Sequence, residues 1–85
     1  RDTGAPFMKR AQSILDQVGL GRRANDPVEI LPYGDLRRLE VARALATRPK
    51  LMLFDEPFAG LAEGEIDPLA DLIRALHRDG LTILI

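Results

Sequence analysis

Leu51-Met52-Leu53-Phe54-Asp55-Glu56-Pro57 is the stretch that decides the fold. Its first four residues are apolar without alternation. Such a run suits a strand buried on both faces, as in a parallel sheet, and not one with a wet side. It ends abruptly in two carboxylates and a proline. In open parallel sheets, ligands bind outside the C-terminal edge of the strands, where Asp55 and Glu56 would emerge. The pair allows two accounts. In one, the acids serve phosphoryl transfer: a first carboxylate holds Mg²⁺ through water, because Mg²⁺ dehydrates reluctantly. The second, one residue on, polarises a water for in-line attack. In the other, they merely end a strand and open a turn.

Downstream, Phe58 to Gly64 reads as a loop. Ile66, Leu69, Leu72, Ile73 and Leu76 recur at helical spacing and predict a helix over 65–79, with Asp67 and Pro68 in or near its first turn. Gly80 stands at the position that closes it. Leu81 to Ile85 predicts a second strand. Strand 51–54, helix 65–79 and strand 81–85 then form a βαβ unit, which implies a parallel sheet and a right-handed crossover. The fold class is therefore α/β.

Upstream, Asp35 to about Thr47 is rich in strong helix formers and is stopped by Pro49. Gly34 opens that helix. Free N–H groups at a helix N-terminus form an anion site, and a glycine lets a phosphate approach the backbone. An ordinary helix start, with the Asp35 charge favourable in the first turn, accounts for the same residues. Arg22 to Pro32 is a loop with a turn signal at Asn25-Asp26-Pro27. Phe7, Met8, Ala11, Ile14, Leu15 and Val18 predict an amphipathic helix over about 7–18, ended by Gly19 and Gly21. Arg1 to Pro6 reads as an irregular lead-in.

Composition narrows the function classes. The 85 residues are 46% hydrophobic and 29% charged, the balance of a soluble globular chain. A formal net charge of −1 gives no global attraction to nucleic acid or an anionic membrane surface. Arg37, Arg38, Arg43 and Arg48 cluster, but the interspersed Glu40 marks a solvated helix face. With no cysteine, disulfides and thiolate metal sites are excluded, which fits the cytosol. The apolar runs fall far short of the roughly 20 residues that span a bilayer. The chain stops inside the apolar run 81–85, and natural domains seldom end on a buried strand. A piece of a larger domain is the expectation.

Taken together, these segments resemble the ABC-transporter ATPase family across about residues 28–85. Gly34 through Ala46 is similar to the family's signature loop and helix, Leu51 to Pro57 to its Walker B strand, and Phe58-Ala59-Gly60-Leu61-Ala62 sits where its D-loop sits. Tyr33-Gly34 followed by Arg37-Arg38-Leu39-Glu40-Val41-Ala42-Arg43-Ala44-Leu45 is most similar to the ATPases of branched-chain amino-acid importers. The resemblance implies a partial P-loop NTPase fold. Residues 1–30 would be the tail of a helical subdomain, and 31–85 an incomplete catalytic core with the signature helix and a βαβ unit. It also implies ATP and Mg²⁺ as cofactors. Asp55 would be the magnesium carboxylate and Glu56 the catalytic base. Tyr33, Gly34 and Asp35 would meet the γ-phosphate of ATP held by the opposite subunit. Gly60, Leu61 and Ala62 would line the dimer interface. The implied partners are a second ATPase subunit, packed head to tail, and an integral membrane permease, with no nucleic acid. The implied location is cytoplasmic, peripheral on the inner face of the cell membrane.

This sequence also departs from the family's pattern. Pro32 stands where a serine is usual, so a hydroxyl donor and an N–H are both missing there. Asp35 replaces a common glutamine; a carboxylate aimed at phosphate would repel it, so its side chain is expected to turn away. Ala62 replaces the usual D-loop aspartate. No G-x-x-x-x-G-K-[ST] occurs in the 85 residues, nor do the glutamine loop and switch histidine, and His77 is expected at the surface. On its own the chain should not hydrolyse ATP. The alternatives are the ATPase head of a DNA-repair or chromosome protein, which would place a coiled-coil arm before the signature, and a non-catalytic interaction module.

Overall fold

The computed structural model describes residues 5–85. Three helices and two strands follow in the order α1 (Ala5–Gln17), α2 (Tyr33–Leu45), β1 (Leu51–Leu53), α3 (Glu63–Arg78) and β2 (Thr82–Leu84), with short 3₁₀ turns at Gly21–Arg23 and Val28–Ile30. The segment Glu29 to Leu31, too short to assign from sequence, thus falls in and beside a 3₁₀ turn. Of the lead-in expected over 1–6, residues 1–4 lie outside the described residues, while Ala5 and Pro6 already belong to α1.

Each boundary has a local cause. Helix α2 begins two residues earlier than its composition suggested. Pro32 is extended (φ −58°, ψ 157°), and its carbonyl accepts the first helical bond, from the Leu36 amide at 3.0 Å. Pro32 loses nothing there, because the amide it lacks would be an orphan at a helix start. At the other end the Thr47 hydroxyl donates to the Ala44 carbonyl at 2.6 Å, and Arg48 turns left-handed (φ 55°) just before Pro49. Helix α3 starts at Glu63, so Pro68 lies deeper than the first turn and leaves the Gly64 carbonyl without its helical donor. It closes through paired bonds, Gly80 N–H to the His77 carbonyl at 3.1 Å and Leu81 N–H to the Leu76 carbonyl at 3.2 Å. The last turn of α1 closes in the same way through Gly19 and Leu20.

The strands pair in parallel, with Leu51 opposite Thr82, Met52 opposite Ile83 and Leu53 opposite Leu84. Met52 is buried on α2 and α3. Leu51, Leu53 and Leu84 are exposed, at 47, 71 and 55%. The run 51–54 was expected to be covered on both faces; within this chain it is covered on one. The core joins Val18 and Leu20 beyond α1, Val41 and Ala42 of α2, Met52 of β1, and Leu69, Leu72, Ile73 and Leu76 of α3. An Arg10 guanidinium bond to the Ala46 carbonyl (2.8 Å) ties α1 to the end of α2.

Candidate functional site

The sheet delivers two acids to one edge. Beyond β1 the Phe54 amide still donates to the Leu84 carbonyl at 2.9 Å, so the ladder holds the chain up to the residue before Asp55. Asp55 and Glu56 are both exposed. Glu56 has φ 51°, a left-handed conformation costly for a residue with a Cβ. A turn follows at once, with the Ala59 amide on the Glu56 carbonyl at 3.1 Å. Asp55 borders a shallow cleft between α2 and β1, lined also by Arg37, Glu40, Phe54 and Pro57. Among the described residues neither acid takes part in an ion pair, and no cluster of three metal-ligating side chains occurs. One free carboxylate suffices for Mg²⁺, which keeps several waters and takes its other ligands from phosphate. The donor set therefore fits that ion with a nucleotide and fits no dedicated all-protein cage.

Beside these acids, the first turn of α2 is knitted to the loop 59–62. The Glu65 carboxylate makes the central link. Its Oε2 accepts the Gly34 amide at 2.8 Å, and its Oε1 accepts the Ala62 amide at 2.8 Å. The second bond is half of a capping box on α3; the return half is missing, because Ala62 has no side-chain acceptor. Gly34 is buried. A Cβ there would lie 2.5 Å from Glu65 Oε2 and 2.8 Å from its Cδ. Two further contacts flank this link. The Arg37 guanidinium donates to the Ala59 carbonyl at 3.2 Å and lies 5.1 Å from the centroid of the Tyr33 ring. The same ring comes within 3.0 Å of where a Cβ on Gly60 would be. Arg37 Nε is buried without a partner.

Of the residues singled out from sequence, Tyr33, Gly34, Gly60 and Ala62 thus converge, with Asp55 and Glu56 leading into the same loop. Leu61 is half-buried and packs on the core. Asp35 leaves the group: its Oδ2 pairs with Arg23 Nε at 2.8 Å, and Arg23 also reaches Asp26 at 3.4 Å. The expected outward turn of this carboxylate has a partner. His77 is exposed, as expected. Sequence reasoning missed Glu65 and Arg23, and it put Arg37 on a solvated face, whereas its guanidinium is turned onto the Ala59 carbonyl with Nε buried. Ala62-x-x-Glu65 has the spacing of a capping box but lacks its Ser or Thr, so the sequence does not announce the bond to Ala62; nor does anything local in it carry the bond to Gly34, 31 positions away.

The parallel βαβ unit, with the helices beside it, is a partial P-loop core of the ABC ATPase class. The sequence profile of the family described as ABC transporter matches residues 5–59. The chain belongs to that family. It is 40% identical over 78 residues to the high-affinity branched-chain amino acid transport ATP-binding protein LivG of Escherichia coli (strain K12), covering 92% of this chain and 31% of LivG. It is 42% identical over 79 residues to the corresponding protein BraF of Pseudomonas aeruginosa, again covering 92% and 31%. The crystal structure of the ADP conformation of MJ1267, an ATP-binding cassette of an ABC transporter, superposes with a TM-score of 0.87 at 31% identity, over 94% of this chain and 32% of that one. The chain thus spans about a third of the length of these relatives.

Proposed function

We propose that this chain is the signature and Walker B portion of an ATP-hydrolysing subunit that energises an importer of branched-chain amino acids. Residues 1–30 form the tail of the helical subdomain and residues 31–85 the signature helix, Walker B strand, D-loop and following helix and strand. The subunit works as a head-to-tail pair on the inner face of the cell membrane, bound to an integral permease. The observation that carries this account is the delivery of Asp55 and Glu56 to the C-terminal edge of a parallel sheet, beside a helix start that is fastened to the loop following them. The cargo class rests on the names of LivG and BraF. Among the described residues no helix is long and apolar enough to cross a membrane, so the membrane component is assigned to the permease.

Asp55 is the carboxylate that would hold Mg²⁺, which would supply neutralisation of charge on the phosphate oxygens. Glu56 orients a water and takes its proton as the water attacks the γ-phosphorus and the bond to the β,γ-bridging oxygen breaks, releasing ADP. Its carboxylate is exposed and unpaired among the described residues, free to face a ligand. The first turn of α2, Tyr33 to Asp35, meets the γ-phosphate bound to the opposite subunit through the positive end of its helix dipole, while the Asp35 side chain stays turned to Arg23. Gly60, Leu61 and Ala62 line the interface between subunits. These 85 residues lack a phosphate loop, and by themselves they neither hold the triphosphate nor turn it over.

The test is Glu56→Gln in the intact subunit. The amide keeps the shape but cannot accept a proton. Nucleotide affinity is expected to persist while turnover falls ~10²–10⁴-fold, the usual effect of losing a general base. Near-normal turnover would remove Glu56 from the role.

A further inference from the structure

One carboxylate joins two helix starts. Glu65 sits at the third position of α3 and accepts the Ala62 amide at 2.8 Å with Oε1. With Oε2 it accepts the Gly34 amide, also at 2.8 Å, in the first turn of α2. Both amides belong to the orphan donors that every helix start must satisfy. Both bonds are charge-assisted, and both lie at the positive end of a helix dipole, where a carboxylate is favoured. Glu65 is half-buried and Gly34 is buried, so water competes less for the bond to Gly34 than for the exposed bond to Ala62.

The Gly34 environment follows from this bond. A Cβ on Gly34 would strike Glu65 at its Oε2, Cδ and Cγ, at 2.5, 2.8 and 3.0 Å. A side chain at position 34 would thus have to displace the Glu65 carboxylate, before any phosphate arrives. While the bond holds, the Gly34 amide is committed inward and is not a donor to an external anion.

We propose that Glu65 is a positioning residue. It clasps the first turn of α2 to the loop 59–62, so that the segment meeting the opposite subunit's γ-phosphate and the segment lining the subunit interface move as one piece. This rests on the roles given above to Tyr33–Asp35 and Gly60–Ala62. Arg37 on the Ala59 carbonyl and the Tyr33 ring on Gly60 seal the same junction, but among the described residues only Glu65 binds both backbones with a single group.

The experiment uses the intact subunit with Glu65→Gln, Glu65→Ala, Gly34→Ala and the Gly34→Ala/Glu65→Ala double variant. Glutamine still caps α3 but has one acceptor oxygen for two donors. In Glu65→Gln the thermal midpoint should change little, while ATP-driven dimerisation weakens about tenfold, the scale of one charge-assisted hydrogen bond. Binding of nucleotide to the monomer should change by less than that. Gly34→Ala acts by colliding with Glu65, so the double variant should be no worse than Glu65→Ala alone. The Gly34 amide resonance, read without ATP, should shift in Glu65→Gln and its exchange protection should fall. An unmoved Gly34 amide, or fully additive effects of Gly34→Ala and Glu65→Ala, overturns the clasp. A clasp visible at Gly34 in Glu65→Gln with dimerisation unaltered overturns the positioning role. If the unaltered subunit fails to dimerise with ATP, the proposed function fails and the positioning role fails with it, while the Gly34 resonance still reports whether the bond exists.

Discussion

Glu56 occupies a left-handed backbone position at the end of a strand, φ 51°, and no glycine relieves it. Strain of this sort, on the order of 1–3 kcal/mol, persists where the surroundings fix it and commonly marks a working residue. Its neighbour Asp55 and the run before it were legible in the sequence because four apolar residues and two acids are a local pattern. The same holds for Asp35, whose charge made it unfit to face phosphate; its partner Arg23 was not legible, because the loop that returns Arg23 to α2 has no periodicity. Gly34 illustrates the opposite case. From sequence the glycine suited either an approaching phosphate or an ordinary helix start, whereas the structure places a carboxylate of the chain itself against it. Gly60 adds a sharper prediction. It has φ 78°, and an added Cβ would lie 3.0 Å from the Tyr33 ring. Gly60→Ala should therefore destabilise the subunit by about 1–2 kcal/mol from the backbone alone, measured by denaturant unfolding. A neutral result would mean that the 59–62 loop is free to refold around its new side chain.

Among the elements, all three helices and both strands were readable from periodicity and from Gly and Pro stops. The starts of the helices were not. Helix α2 starts at Tyr33 because the extended Pro32 offers its carbonyl to Leu36, a geometric fact that helix propensity does not encode. Helix α3 starts at Glu63, a turn's half earlier than its first apolar residues suggest, because Glu65 reaches back to the Ala62 amide. That start remains half-capped. Ala62 is exposed with φ −69° and ψ 159°, a conformation suited to an N-cap, yet it offers no acceptor. Ala62→Asp should complete the capping box and raise stability by about 0.5–2 kcal/mol, read as a higher denaturation midpoint of the monomer. No gain would show that the added carboxylate is opposed by its acidic neighbours Glu63 and Glu65.

For the whole molecule, the decisive feature is one covered sheet face and one bare one. The sequence pattern of 51–54 asks for cover on both sides, but α2 and α3 supply it on one, leaving Leu53 71% exposed. Residues 1–85 expressed alone should consequently melt broadly, bind a hydrophobic dye and self-associate through the open strands. A sharp, cooperative melt of a monomer would show that the nine buried core residues found among the described residues are enough. The larger claim is that each active site is built from two copies, with Glu56 of one acting on the ATP that the α2 start of the other completes. The most direct measurement mixes two intact but inactive subunits, Gly34→Asp and Glu56→Gln. In a mixed pair, one of the two sites combines an unaltered Glu56 with an unaltered Gly34. The account predicts that ATP turnover, absent from either variant alone, returns on mixing; a mixture as inactive as its components would contradict it.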